Sequence, residues 1–128
     1  MGENQNLKIL LVEDEQDARE IYADILVNGG FDVDTAVDGQ QAEEEMSQKK
    51  YDIILLDIIT PRKDGIQTLE EIKSNPQKYG TPKVVMLSNI AGDIAIDKAM
   101  ELGADGYMLK ADVDPEQLVA MVKKFFEK

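Results

Sequence analysis

"YDIILLDIITPRKDG", residues 51–65, combines a core strand with a charge at its end. The run Ile53 to Leu56 is apolar without alternation, the pattern of a strand covered on both faces. It stops on Asp57 and then resumes with Ile58 and Ile59. Burying a carboxylate without a partner costs several kcal/mol, so Asp57 must meet compensating groups from elsewhere in the chain.

Working outward from this stretch, strand-like runs alternate with helical spacing. "KILLV" (8–12) leads to an amphipathic stretch with Ala18, Ile21, Tyr22 and Ile25 on one face, ended by Gly29-Gly30. "DVDTA" (32–36) passes through Asp38-Gly39 into a weaker helix carrying Ala42 and Met46. Beyond residue 65 the spacing predicts a helix with Ile66, Leu69 and Ile72 inward, then a turn-rich segment, 74–82. "KVVML" (83–87) precedes a helix carrying Ile94, Ala95, Met100 and Leu102. "GYML" (106–109) is the last strand. Asp114 as N-cap and Pro115 at the first helical position open a final helix that buries Leu118, Met121, Val122 and Phe125.

Five strands alternating with five helices predict right-handed βαβ units and a single doubly wound parallel sheet, an α/β fold. The 128 residues fit one domain, expected over 7–128 behind a short tail, 1–6. There is no cysteine, which excludes disulfides and thiolate metal sites, and no histidine, which removes the usual neutral-pH general base. The first 16 residues carry an apolar run too short for an export signal or a membrane span, so the expected setting is cytoplasmic with no membrane contact. Twenty-six acids against 14 bases give a net charge of −12, which repels phosphate backbones and argues against direct nucleic-acid binding.

In a doubly wound sheet, ligands sit outside the carboxyl ends of the strands. Standing there are Glu13 and Asp14, Asp57, Ser88 with Asn89, and Lys110. Each has a plainer reading: Glu13 and Asp14 as acids favoured by a helix start, Ser88 as an N-cap, Lys110 as a surface charge. Their coincidence at one sheet edge favours a shared purpose. Two carboxylates about 4 Å apart repel by around 4 kcal/mol at an effective dielectric of 20. A hard divalent cation relieves that repulsion, and Mg²⁺ does so with one or two carboxylates and several waters. Asp57, facing such a cation and the Lys110 ammonium, has the chemistry of a phosphoryl acceptor. Ser88 would then donate a hydrogen bond to a phosphoryl oxygen.

"VEDE" after the first strand, "LLDIITPRKDG" after the third, "MLSN" after the fourth and "GYMLK" after the fifth together resemble the receiver domains of two-component response regulators. The resemblance spans nearly the whole chain. It implies a flavodoxin-like (βα)5 fold with strand order 2-1-3-4-5. It implies Mg²⁺ held by Asp14, Asp57 and the backbone carbonyl of Ile59, with Glu13 supporting through water. The phosphodonor would be a sensor histidine kinase or a histidine phosphotransfer protein. Ser88, Asn89 and Lys110 would line the phosphoryl position, and Tyr107 would change rotamer with Ser88. Phosphorylation would alter the face of the fourth helix, fifth strand and fifth helix, with Val119 and Phe126 as partly exposed contacts. A downstream target or output domain would dock there, on a monomer or a phosphorylation-dependent dimer. The plainer reading of Tyr107 is a partly buried aromatic.

Three departures from the family pattern stand out. Asn89 replaces a smaller residue beside the acceptor, Thr60 and Lys63 replace residues commonly methionine, and Ala111 replaces proline after Lys110. The last sets the family's cis bond against a cost of about 3 kcal/mol for a non-proline cis peptide. Such a domain is a self-phosphorylating acceptor with autodephosphorylation, not a turnover enzyme. Its rivals are weaker. A haloacid dehalogenase-type phosphatase needs a second acid two residues after the nucleophile, where Ile59 stands. A nucleotide-binding domain needs a phosphate loop where "VEDEQDA" stands. A pseudo-receiver acting only as an interaction module should lack one of the key residues, and none is missing. Any output domain would lie outside the 128 residues.

Overall fold

The run that ends on Asp57 forms the central strand β3 (Ile53–Asp57), and all five of its residues are buried. The computed structural model describes residues 7–58, 64–89, 94–110 and 114–125. The other strands are β1 (Lys8–Val12), β2 (Asp32–Ala36), β4 (Lys83–Ser88) and β5 (Gly106–Leu109). The principal helices are α1 (Gln16–Asn28), α2 (Gly39–Gln48), α3 (Gly65–Ser74), α4 (Ile94–Glu101) and α5 (Pro115–Lys124). The strands form one sheet in the order β2-β1-β3-β4-β5, with every neighbouring pair parallel.

Strand alternation divides the core into two layers. Ile54, Leu56, Val84 and Met86 face Ala42, Met46, Leu69, Ile72, Ile96 and Ala99 from α2, α3 and α4. Ile53, Leu55, Val85 and Leu87 face Leu26, Leu118 and Val122 from α1 and α5. Each fully buried Leu or Ile contributes about 1.5–3 kcal/mol relative to exposure, so β3 anchors both layers. Three helices start on an aspartate whose carboxylate accepts from a backbone N–H in the first turn: Asp38 from Gln41, Asp64 from Gln67, Asp114 from Gln117. Asp64 and Gln67 complete a capping box, and caps of this kind contribute about 1 kcal/mol each.

The structure corrects four details of the expected pattern. Residues Pro76–Tyr79, inside the segment read as turn-rich, form a one-turn helix whose Tyr79 is buried and donates to Glu71 Oε2 at 3.1 Å. On α1, Ile21 is 57% exposed; Tyr22, Ile25 and the buried Leu26 form the packed face instead. On α4, Ile94 and Met100 are exposed, whereas Ile96 and Ala99 are buried. Both helices carry apolar residues all round, so spacing alone leaves the phase undetermined and contact with the sheet sets it. Finally, Val119 does not lie beside α4 and β5. A Cβ built on Gly29 would sit 2.8 Å from Val119 Cγ2, which places Val119 at the end of α1, where the missing side chain lets α1 and α5 approach closely. Phe126 lies outside the described residues.

Candidate functional site

The register brings the strand ends to a common level. Val12 pairs with Leu56, Asp57 with Leu87, and Ser88 with Leu109. Glu13 and Asp57 therefore leave the sheet at the same level, Ser88 one residue beyond them and Lys110 two. Glu13, Asp57 and Ser88 are all buried, at 0%, 4% and 3% exposure. Lys110 closes the cluster, its Nζ 2.5 Å from Glu13 Oε1 and 2.7 Å from Asp57 Oδ2. Asp14 is exposed, yet one oxygen from each of Glu13, Asp14 and Asp57 lies within 4.8 Å of the others.

Lys110 answers the question set by Asp57. Burial alone would lower the lysine pKa, but hydrogen bonds to Asp57 and Glu13 outweigh it and hold the ammonium above its ordinary value. One ammonium, on two of the three carboxylates, leaves two negative charges uncompensated, in a donor set made only of oxygen. That set fits a hard divalent cation.

Asn89 follows Ser88 at the exposed end of β4. Tyr107 pairs with Met86 on β5, one alternation below Ser88 and Leu109, and is 52% exposed, with its ring turned outward. The Ile59 carbonyl, Thr60, Lys63, Ala111 and the Lys110–Ala111 bond lie outside the described residues.

Two residues at the site were not singled out in the sequence. A Cβ on Gly65 would lie 2.3 Å from the carbonyl oxygen of Asp57 and 2.8 Å from the Cα of Ile58. Only glycine lets the start of α3 rest on the backbone of Asp57 and Ile58, where the Gly65 N–H donates to Ile58 O at 2.8 Å. The Asp64-Gly65 pair before an apolar-periodic run was the available signal. Arg19 Nη1 donates to the carbonyls of Glu13 at 3.0 Å and Asp14 at 3.2 Å.

A family model described as the response regulator receiver domain matches residues 9–123. The chain belongs to that family. Its sequence is similar to the transcriptional regulatory protein CpxR homolog of Haemophilus influenzae, 37% identical over 116 residues, covering 91% of this chain and 48% of the relative. It is also similar to the alkaline phosphatase synthesis transcriptional regulatory protein PhoP of Bacillus subtilis, 38% identical over 120 residues, covering 92% and 48%. The receiver chain thus spans about half the length of the curated relatives it matches. Among solved structures, a two-component response regulator from Clostridium difficile has a TM-score of 0.85 at 28% identity, covering 94% of this chain and 96% of that one. Receiver domains are signalling modules of two-component systems. Among the described residues of this one, no helix is long and apolar enough to cross a membrane.

Proposed function

We propose that this receiver domain accepts a phosphoryl group on Asp57 from a phosphohistidine partner, a sensor histidine kinase or a histidine phosphotransfer protein, in a Mg²⁺-dependent step. The observation that carries the reading is the pair of buried carboxylates, Glu13 and Asp57, sharing the Lys110 ammonium at the carboxyl edge of the sheet. Asp14 and Asp57 would hold Mg²⁺, with Glu13 supporting through water and the Ile59 carbonyl completing the set. When bound, the ion would neutralise charge on the transferring phosphoryl oxygens.

The chain's own groups supply the rest. An Asp57 carboxylate oxygen attacks phosphorus as the bond to the donor imidazole nitrogen breaks, and that nitrogen keeps the electron pair. Lys110, already fixed on Asp57, bonds a phosphoryl oxygen where negative charge gathers. Ser88, buried at the end of β4, donates to another. Asn89 lines the approach, so the amide narrows access for small donors.

The product then shifts the balance between two packings. Ser88 drawn towards the phosphoryl opens space that the Tyr107 ring enters, altering the face formed by α4, β5 and α5. That face would meet a downstream target or an output domain. The names of the longer relatives, transcriptional regulatory proteins, support an output of that class.

The test is incubation with acetyl phosphate and Mg²⁺ followed by intact mass measurement. The protein should gain one acid-labile phosphoryl group, and Asp57→Asn should gain none. Equal labelling of the substituted protein would remove Asp57 from the role.

A further inference from the structure

The loop that carries Glu13 and Asp14 is held from both sides of one peptide plane. Arg19 projects back from the first turn of α1, and its Nη1 donates to the Asp14 carbonyl at 3.2 Å and the Glu13 carbonyl at 3.0 Å. On the opposite side, the N–H of Glu15 donates to Glu13 Oε2 at 3.1 Å. A trans peptide directs its C=O and N–H in opposite directions, so the Asp14–Glu15 plane cannot rotate without breaking one of these bonds. The other Glu13 oxygen is on Lys110, and the Glu13 N–H donates to Ala36 O at 3.0 Å. Arg19 thereby connects the guanidinium to the orientation of the whole acidic loop.

We infer that Arg19 is a positioning residue for the cation site, preorganising the loop that presents Asp14 and Glu13. The inference rests on the proposed Mg²⁺ site and adds a determinant of its affinity. Charge and positioning predict opposite signs here. As a positive charge near three carboxylates, Arg19 repels a cation, so removing it by charge alone would tighten binding. As a clamp, Arg19 saves the ordering that a free loop must undergo when the ion binds, so removing it weakens binding.

Two measurements on Arg19→Gln, Arg19→Lys and the unaltered protein decide between them. By titration calorimetry, Arg19→Gln should bind Mg²⁺ at least fivefold more weakly, and Arg19→Lys should recover part of the loss because it keeps a charged donor. By NMR hydrogen exchange without metal, the Glu15 amide should exchange at least tenfold faster in Arg19→Gln, while amides of β3 and β4 keep their rates. This second readout also shows that the variant is folded. Mg²⁺ binding that is unchanged or tighter in Arg19→Gln, or Glu15 exchange that does not change, overturns the inference. Asp14→Asn serves as the control for the parent reading. If it binds Mg²⁺ as well as the unaltered protein does, or if the unaltered protein binds none, the proposed cation site fails and this inference with it. A unique effect of Arg19 on exchange would then be structural only.

Discussion

Among single residues, Gly65 and Lys110 set the surroundings of the buried Asp57 carboxylate. Lys110 offsets the charge; Gly65 fixes the backbone that carries it. In Gly65→Ala the added Cβ would fall 2.3 Å from Asp57 O, against backbone that is held to β4 by the bond from Ile58 N–H to Leu87 O. Neither side of that contact is the flexible end of a side chain. The substitution should therefore cost about 1–3 kcal/mol or more in urea unfolding, the range for overpacked sites. It should also slow labelling by acetyl phosphate, because relief comes only by moving the backbone of Asp57, the proposed acceptor. A stability within about 0.5 kcal/mol of the original would show that α3 can shift away at little cost. An aspartate ending an apolar strand and a lysine following another are conspicuous in the sequence, whereas a glycine touching the carbonyl of that aspartate is not.

At the scale of elements, β2 and the segment entering β3 are joined by a polar network. Asp34 accepts from the Tyr51 hydroxyl at 2.8 Å and from Lys49 Nζ at 2.6 Å. The Lys49 hydrogen bond first, and the Tyr51 hydroxyl with it, hold the Asp34 carboxyl below its ordinary 3.8 despite partial burial. Burial first, and then Asp34, push the Tyr51 phenol up. A carboxyl with a lowered folded-state pKa contributes stability that is present above the unfolded value and lost as pH falls through the folded one. Asp34→Asn should thus be less stable than the original at neutral pH, and the gap should narrow as pH drops below about 3.8, in urea titrations at a series of pH values. Tyr51→Phe should lose about 1 kcal/mol at neutral pH, the usual net worth of one hydrogen bond. A gap that is constant across the acid range would mean that the Asp34 charge plays no part. The α1 and α4 phases belong to this scale as well. Their faces are chosen by the sheet they cover, which is why Ile21 points outward against expectation and Ile94 is exposed while Ile96 is buried.

At the scale of the whole molecule, the proposed switch converts a charge at Asp57 into a change of packing near Tyr107. The outward ring, 52% exposed, is the starting position that such a switch requires. The exposed Ile94 and Met100 on neighbouring α4 supply an apolar surface that a partner could cover. On the proposed reading a phosphoryl group shifts the equilibrium only by its differential affinity for two packings, so the unphosphorylated protein should sample the active one at a low level. With beryllofluoride and Mg²⁺, NMR should show Tyr107 ring signals moving to a buried environment, together with shifts in α4, β5 and α5. Changes confined to the loops around Asp57 would leave the site chemistry standing and remove the switch.

Sequence alone sets the order and kind of the elements, because alternation, helical spacing and Asp caps act over a few neighbouring residues. It also determined the acids and the lysine at the strand ends, since any chain with these strands must place the following residues at one edge. Everything that depends on contact between distant segments comes from the tertiary fold. It set the helix phases, the rest of Gly65 on Asp57, and the Arg19 clamp on the acidic loop. It also brought Lys110 across 53 residues of chain to Asp57, and onto Glu13 as well. Local rules carry no information about such contacts, because their geometry is settled only when the sheet register brings the strand ends level.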